Sequence, residues 1–194
     1  LKDIHDIVTY GNRIFAASND GLFVWDGNRF SPITELNDLL EQDKTVHAIA
    51  FSNNRSIAIA AESGLYFQKP DQSWTALYPQ TPDNRSWAPR TVRAVTFDFQ
   101  GRLWFASPQG AGCYDGSEWK LYTGQEGLPY NDFTCVKSGE SGDVWFGTRI
   151  GAIRFDGKNW AYRQGRRWLP HDTIHDMAID SKGRKWVAGR GGIG

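Results

Sequence analysis

The sequence predicts an all-β fold, a β-propeller, on three observations. One unit of roughly 40 residues recurs about five times along the 194 residues. Each copy reads as four short strands separated by turns that carry Gly, Asn or Asp. Both faces of so small a sheet are apolar, so a copy cannot stand alone; radial stacking buries each face against the next blade and leaves only short edges.

The repeat is clearest in the middle of the chain. Phe105-Ala-Ser-Pro-Gln-Gly110-Ala-Gly-Cys-Tyr-Asp-Gly116-Ser-Glu-Trp119 aligns with Phe146-Gly-Thr-Arg-Ile-Gly151-Ala-Ile-Arg-Phe-Asp-Gly157-Lys-Asn-Trp160, 41 residues later. An earlier copy runs from Phe15 through Gly21 and Asp26-Gly27 to Phe30, a degenerate one surrounds Gly64, and the last restarts at Trp186. Strand one of each unit alternates and is apolar: it begins near Ile4, Val46, Val92, Phe133 and Ile174. Strand two carries Phe15, Trp104, Trp145 or Trp186, with Ala58 in the second unit. Strand three starts at the glycine and ends at an Asp-Gly turn signal. Strand four carries Phe30, Trp74, Trp119 or Trp160. Recurrence in register makes Trp25, Trp74, Trp104, Trp119, Trp145, Trp160 and Trp186 expected core between blades.

The predicted blades are 1–44, 45–90, 91–132, 133–172 and a partial 173–194. Unit five stops before its third and fourth strands, and the first residues supply no spare strands to complete it. The sequence therefore reads as part of a larger ring, with a frayed five-bladed form as the alternative. The chain opens on Leu1 rather than Met and is expected to be a processed or excised segment.

Composition narrows the function classes. Lysine plus arginine and aspartate plus glutamate each number 22, so nothing suggests a nucleic-acid surface or an anionic membrane. No apolar run approaches the ~18 residues a spanning helix needs, so no membrane insertion is expected. Cys113 and Cys135 lack zinc spacing and are too few for a disulfide scaffold; they are expected to be buried free thiols. No cofactor, metal or catalytic residue set is expected: no nucleophile elbow, phosphate loop or paired-carboxylate motif is present. Asp115-Gly116 and Asp156-Gly157 read as turns.

The segment from Tyr114-Asp-Gly-Ser-Glu-Trp119 to Gly127-Leu-Pro-Tyr130-Asn-Asp-Phe133 resembles two-component-regulator propeller repeats. So do Gly142-Asp-Val-Trp145-Phe-Gly147 and Asp180-Ser-Lys-Gly183-Arg-Lys-Trp186. The resemblance covers units three to five well, unit one in its middle and unit two poorly. Units one and two lack the Gly-Leu-Pro turn, and their connections 31–44 and 79–90 are long. The resemblance implies a sensor-type propeller outside the cytoplasmic membrane, periplasmic or extracellular, of a bacterial protein that responds to polysaccharides. It does not by itself assign a function.

Repeat register places the loops leading into strand one, and those joining strands two and three, on one face around the central channel. His5, His47, Arg93, Thr134 and His175 hold one register position there, and His171 lies just before strand one of unit five. A solvated polar lining is one reading; a ring of convergent groups for an oxygen-rich or anionic ligand is the other. Metal binding is the least favoured, because no ligand cluster sits on one rigid element. Trp87 and Trp168 stand in Arg-flanked loops before Pro89 and Pro170. Such rings offer a flat face to a sugar, or else plug a blade edge; neighbouring arginines can hold a carboxylate or sulfate.

The expected function is therefore non-catalytic recognition of a carbohydrate or a partner at the channel face, as a sensor or accessory module of a larger protein. The candidate ligand-binding residues are Trp87, Arg90, Arg93, Tyr130, Arg149, Trp168, His171, His175 and Arg190. Two alternatives stand beside it. One is a lyase-type propeller acting on an acidic polysaccharide, for which these residue types also suffice. The other is an architectural domain that positions a fused catalytic or signalling domain.

Overall fold

The computed structural model describes every residue except Glu41, Thr81, Pro82, Asn84, Ala88, Gln125, Glu126 and Glu140. Parts of the 79–90 connection and of the Gly124–Gly127 linker thus lie outside the described residues. Blade one comprises β1 (Ile4–Tyr10), β2 (Arg13–Ser18), β3 (Gly21–Trp25) and β4 (Phe30–Pro32). After helix α1 (Thr34–Leu39), blade two comprises β5 (Val46–Phe51), β6 (Ile57–Ala61), β7 (Gly64–Gln68) and β8 (Trp74–Leu77). Blade three holds β9 (Ala94–Phe97), β10 (Leu103–Ser107), β11 (Gly110–Tyr114) and β12 (Trp119–Tyr122). Blade four holds β13 (Phe133–Ser138), β14 (Val144–Thr148), β15 (Ala152–Phe155) and β16 (Trp160–Arg163). Blade five has β17 (Ile174–Ile179), β18 (Lys185–Gly189) and a two-residue β19 (Gly192–Ile193).

Every sheet is an antiparallel meander in chain order. The inner strands β1, β5, β9, β13 and β17 contact one another in sequence, which makes the five sheets blades around one channel. The predicted β-propeller is the observed architecture. The last blade is the incomplete one, although its third strand has begun to form. No described helix is long and apolar enough to cross a membrane.

The turns follow from the sequence. Asp115 accepts the amides of Ser117 and Glu118 on one carboxylate oxygen, and Asp156 does the same for Lys158 and Asn159. Gly116 and Gly157 then take φ of 104° and 98°, a region costly for residues with a Cβ. Those amides, Glu118 first, hold the Asp115 carboxyl at about 2, well below the usual range. At the opposite end of the hairpin, a Cβ on Gly151 would meet the carbonyl of Arg163, so the repeated glycine is required there.

Packing between blades is aromatic. Trp104 of blade three stacks on Tyr122 at 6.0 Å and meets Phe155 of blade four at 5.6 Å. Phe155 in turn lies 4.4 Å from Trp160. Such pairs add about 0.5–1.5 kcal/mol each beyond the area they bury. Asp98, itself buried, accepts from the Arg102 guanidinium at 2.7 Å and from the Trp104 indole at 2.9 Å. Asp180 holds Arg184 and Trp186 in the same way.

One expectation changes. Trp186 is not core: it is 43% exposed, against 1% for Trp104, because nothing covers its side of blade five. The long 31–44 connection contains α1, whose Leu36 and the following Leu40 are fully buried against blades one and two. Asn37 of this helix bridges the backbone of Leu22, accepting its amide at 3.0 Å.

Candidate functional site at the channel mouth

The channel site is built by a backbone irregularity. In blades one, two, four and five, strand pairing slips by one residue, and the residue skipped is His5, His47, Thr134 or His175. A bulge frees one residue from the ladder and re-aims its side chain. In blade three Arg93 takes the same place, immediately before β9, with its amide bonded to Ala106. All five side chains line one small cavity of about 160 Å³. Further along the strands, Asp6, Lys137 and Asp176 line it too.

Each ring member has its own setting. The His5 and His47 rings lie 5.5 Å apart. His5 Nε2 is 2.6 Å from Asn19, which donates to Asp3. His47 Nε2 is 2.9 Å from Glu62, and Thr91 donates to the other oxygen of that carboxylate at 2.6 Å. The Thr91 hydroxyl, aided by His47, lowers the Glu62 carboxyl against the effect of burial. Thr91 holds a left-handed φ of 55°, a strained choice for a β-branched residue, while its amide bonds back to Glu62. Arg93 binds Asp132 and donates to the carbonyl of Phe133 at 2.8 Å. Arg149 reaches the second oxygen of Asp132 at 3.3 Å. Two guanidiniums thus share one carboxylate beside the channel. The buried Thr134 hydroxyl has no hydrogen-bond partner.

Asp6 sits deeper, its carboxylate accepting the Ile49 amide at 3.0 Å. Burial raises its pKa; the Ile49 amide and Lys137 pull the other way, and Asp176 pushes with burial. Lys137 pairs with Asp176 at 3.5 Å. Fields from blades one, four and five therefore meet inside the channel.

The nine sequence-predicted residues fall into separate settings. Arg93 and His175 line the channel. Arg149 joins them through Asp132, and its carbonyl accepts from Thr173 at 3.0 Å. His171 Nδ1 accepts the Thr173 amide, which fixes the ring's proton on Nε2 when neutral. Arg190 is exposed beyond β18, next to Gly191, which abuts Pro170 and His171. Arg90 lies elsewhere, in an open cleft of about 720 Å³ with Glu62 and the exposed Tyr78. The three candidate aromatics have different packing. Trp87 packs 5.8 Å from Phe105 between blades two and three, and Tyr130 packs against the core between blades three and four. Trp168 alone of the three is 55% exposed, with Arg163 and Arg167 over its ring at 4.9 and 5.4 Å.

Sequence reasoning left His5, His47, Glu62 and Asp132 off that set of nine. His5 and His47 were legible from register. Register also places Glu62 on the channel face, in the loop joining strands two and three; Asp132 was not legible, because its partners Arg93 and Arg149 come from other strands.

No protein-family model and no curated protein matches the chain. Solved structures do. The extracellular domain of the putative hybrid two-component system BT4673 from B. thetaiotaomicron superposes with a TM-score of 0.78 at 16% identity, over 98% of this chain and 26% of that one. The corresponding domain of BT3049 gives 0.78 at 18% identity, over 98% and 27%. PorZ, a surface component of the type-IX secretion system of Porphyromonas gingivalis, gives 0.73 at 22%, over 98% and 32%. The chain spans about a quarter to a third of the length of these proteins. It is a β-propeller with the fold of these extracellular domains, as its resemblance to two-component-regulator propeller repeats implies.

Proposed function

We propose that the chain is a recognition module that binds an oxygen-rich, anionic ligand, an acidic carbohydrate in particular, at the channel mouth. One observation carries this reading: the same register position in successive blades, a bulge in four of the five, brings His5, His47, Arg93, Thr134 and His175 to one cavity. Arg149, which shares Asp132 with Arg93, extends the cationic side of that mouth to blade four. Guanidiniums match carboxylate and sulfate oxygens in a bidentate way, and imidazoles supply further donors. The similar domains are extracellular parts of much longer chains. That supports a sensor or accessory role outside the cytoplasmic membrane, with this propeller fused to other domains.

The test is an array of acidic and neutral glycans, followed by calorimetry on hits. The reading expects binding of uronate- or sulfate-bearing glycans that weakens at least tenfold in Arg93→Ala and Arg149→Ala. No binding to any acidic glycan, or binding untouched by both changes, overturns it.

A second reading has one observation in its favour. His47, which lines the channel, is hydrogen-bonded to the carboxylate of Glu62, the pairing that makes an imidazole a competent base. A lyase of acidic polysaccharides would then release an unsaturated product with new ultraviolet absorbance. A flat absorbance trace with every acidic glycan bound rejects this reading and leaves the first intact.

A further inference from the structure

The glycine that opens strand three is covered differently in blade two than in its neighbours. A Cβ on Gly110 would meet the carbonyl of Tyr122, and one on Gly151 that of Arg163, so in blades three and four the end of strand four closes over the glycine. In blade one the Asn37 side chain takes that place over Gly21. Over Gly64 of blade two the nearest group is the Pro89 carbonyl, 3.6 Å from such a Cβ. A cleft of about 720 Å³ opens there. It starts at Glu62, in the loop joining β6 and β7, and reaches Leu77 and Tyr78 at the end of β8. That path crosses two strand spacings, about 10 Å.

Glu62 ties the cleft to the channel. Its carboxylate lies 2.9 Å from His47 Nε2, and His47 lines the channel cavity. Thr91 donates to its other oxygen at 2.6 Å. A carboxylate has about four acceptor sites, so both bonds leave room for ligand hydroxyls. Arg90, next to Thr91, is exposed in the same cleft. Tyr78 is 59% exposed, whereas Tyr122, which ends β12 of blade three, is 3% exposed. Leu77 holds the register position of Tyr122, so the aromatic ring of blade two falls one residue later, on the surface. Neither Arg90 nor Tyr78 has a hydrogen-bond or ion-pair partner among the described residues. The cleft therefore combines a bare aromatic face, a fixed carboxylate and an unengaged guanidinium. Those groups suit the C–H face, the hydroxyls and the acidic substituent of a sugar.

We propose that this cleft is a second subsite for an acidic glycan, holding the residues that follow the one in the channel. Tyr78 lies under a sugar ring, Arg90 holds a carboxylate or sulfate, and Glu62 accepts hydroxyls between the two subsites. The inference rests on the channel reading and extends it: the module reads a run of acidic sugars along a track from the channel over Glu62 to Tyr78.

The probes are disaccharides and hexasaccharides cut from polygalacturonate and from chondroitin sulfate, with binding measured by calorimetry. In at least one series the hexasaccharide is expected to bind about tenfold more tightly than the disaccharide, the gain that one charge-assisted hydrogen bond supplies. Tyr78→Ala and Arg90→Ala, both changes of exposed side chains, should each weaken the hexasaccharide severalfold and leave the disaccharide unchanged. Arg93→Ala should weaken both lengths. Equal affinity for the two lengths overturns the second subsite and leaves the channel reading standing. So does a length gain that survives both substitutions. No binding in either series overturns the inference, while the wider range of acidic glycans on the array judges the channel reading by itself.

Discussion

Ile7 and Ile49 occupy the same position in successive blades, yet Ile7 is 57% exposed and Ile49 is 5% exposed. The residues that follow them in register, Val95, Val136 and Met177, are all buried. What buries this position in blades two to five is the preceding blade; none of the described residues packs against that flank of blade one. Ile49→Ala is therefore expected to cost about 2–4 kcal/mol, the range for a truncated core isoleucine. Ile7→Ala should cost under about 0.5 kcal/mol, as exposed substitutions do. Chemical denaturation of the two variants checks the difference. Equal losses would mean that Ile7 is covered in solution.

Asp98 clasps its own turn. It accepts the amides of Gln100 and Arg102 as well as the Arg102 and Trp104 side chains. Asp98→Ala strands a buried indole N–H and a guanidinium, so a loss of about 3–5 kcal/mol is expected. Thermal unfolding followed by circular dichroism measures it. A loss below about 1 kcal/mol would show that water replaces the carboxylate.

Burial pushes the thiols of Cys113 and Cys135 up to about 12. The thiolate is the reactive form, so both should resist Ellman's reagent at neutral pH in the folded chain. Two equivalents should react in denaturant. Prompt labelling of the native protein would show that the blades open on the timescale of the assay.

The channel carboxylate Asp6 supplies a pH signature. Its folded pKa is raised, above all by burial. A carboxyl raised on folding favours the folded state below its unfolded pKa, and this advantage is lost as pH rises through the folded value. Asp6→Asn removes that penalty and is expected to be more stable than the parent at pH 7, with the gap closing towards pH 4. Asp143 runs the other way. Burial opposes its ionisation, but Ser141 and Arg154 outweigh it and hold it at about 2. Its contribution is present above the unfolded pKa near 4 and is lost as pH falls towards 2. Urea melts across this range separate the two; a parallel pH dependence in Asp6→Asn and the parent would contradict the first.

Much of the fold was legible because it is written in short-range chemistry. The Asp-Gly turns at 26–27, 115–116 and 156–157 and the apolar alternation of β5, β13 and β17 announce hairpins locally. Helix α1 was hidden: it is six residues long, its first cap is Ile33 with no capping side chain, and burial of Leu36 and Leu40 holds it. Trp186 was misread because its burial depends on a neighbour, not on its own repeat. The site was half legible. Register found His5, His47, Arg93, Thr134 and His175, but the bulge that turns four of them inward is a backbone event that no residue type signals. Trp87, Tyr130 and Trp168 looked alike in sequence because each precedes strand one; inter-blade packing is what separates them.

Recognition at the channel requires side chains from separate blades to meet one ligand. Imidazole resonances report this directly, since His5, His47 and His175 line the channel cavity. On titration with an acidic glycan that binds, the Cε1–H signals of His47 and His175, from blades two and five, should shift with one common dissociation constant. Tight binding that leaves both signals in place would put the ligand elsewhere and contradict the assignment of the channel as the recognition site.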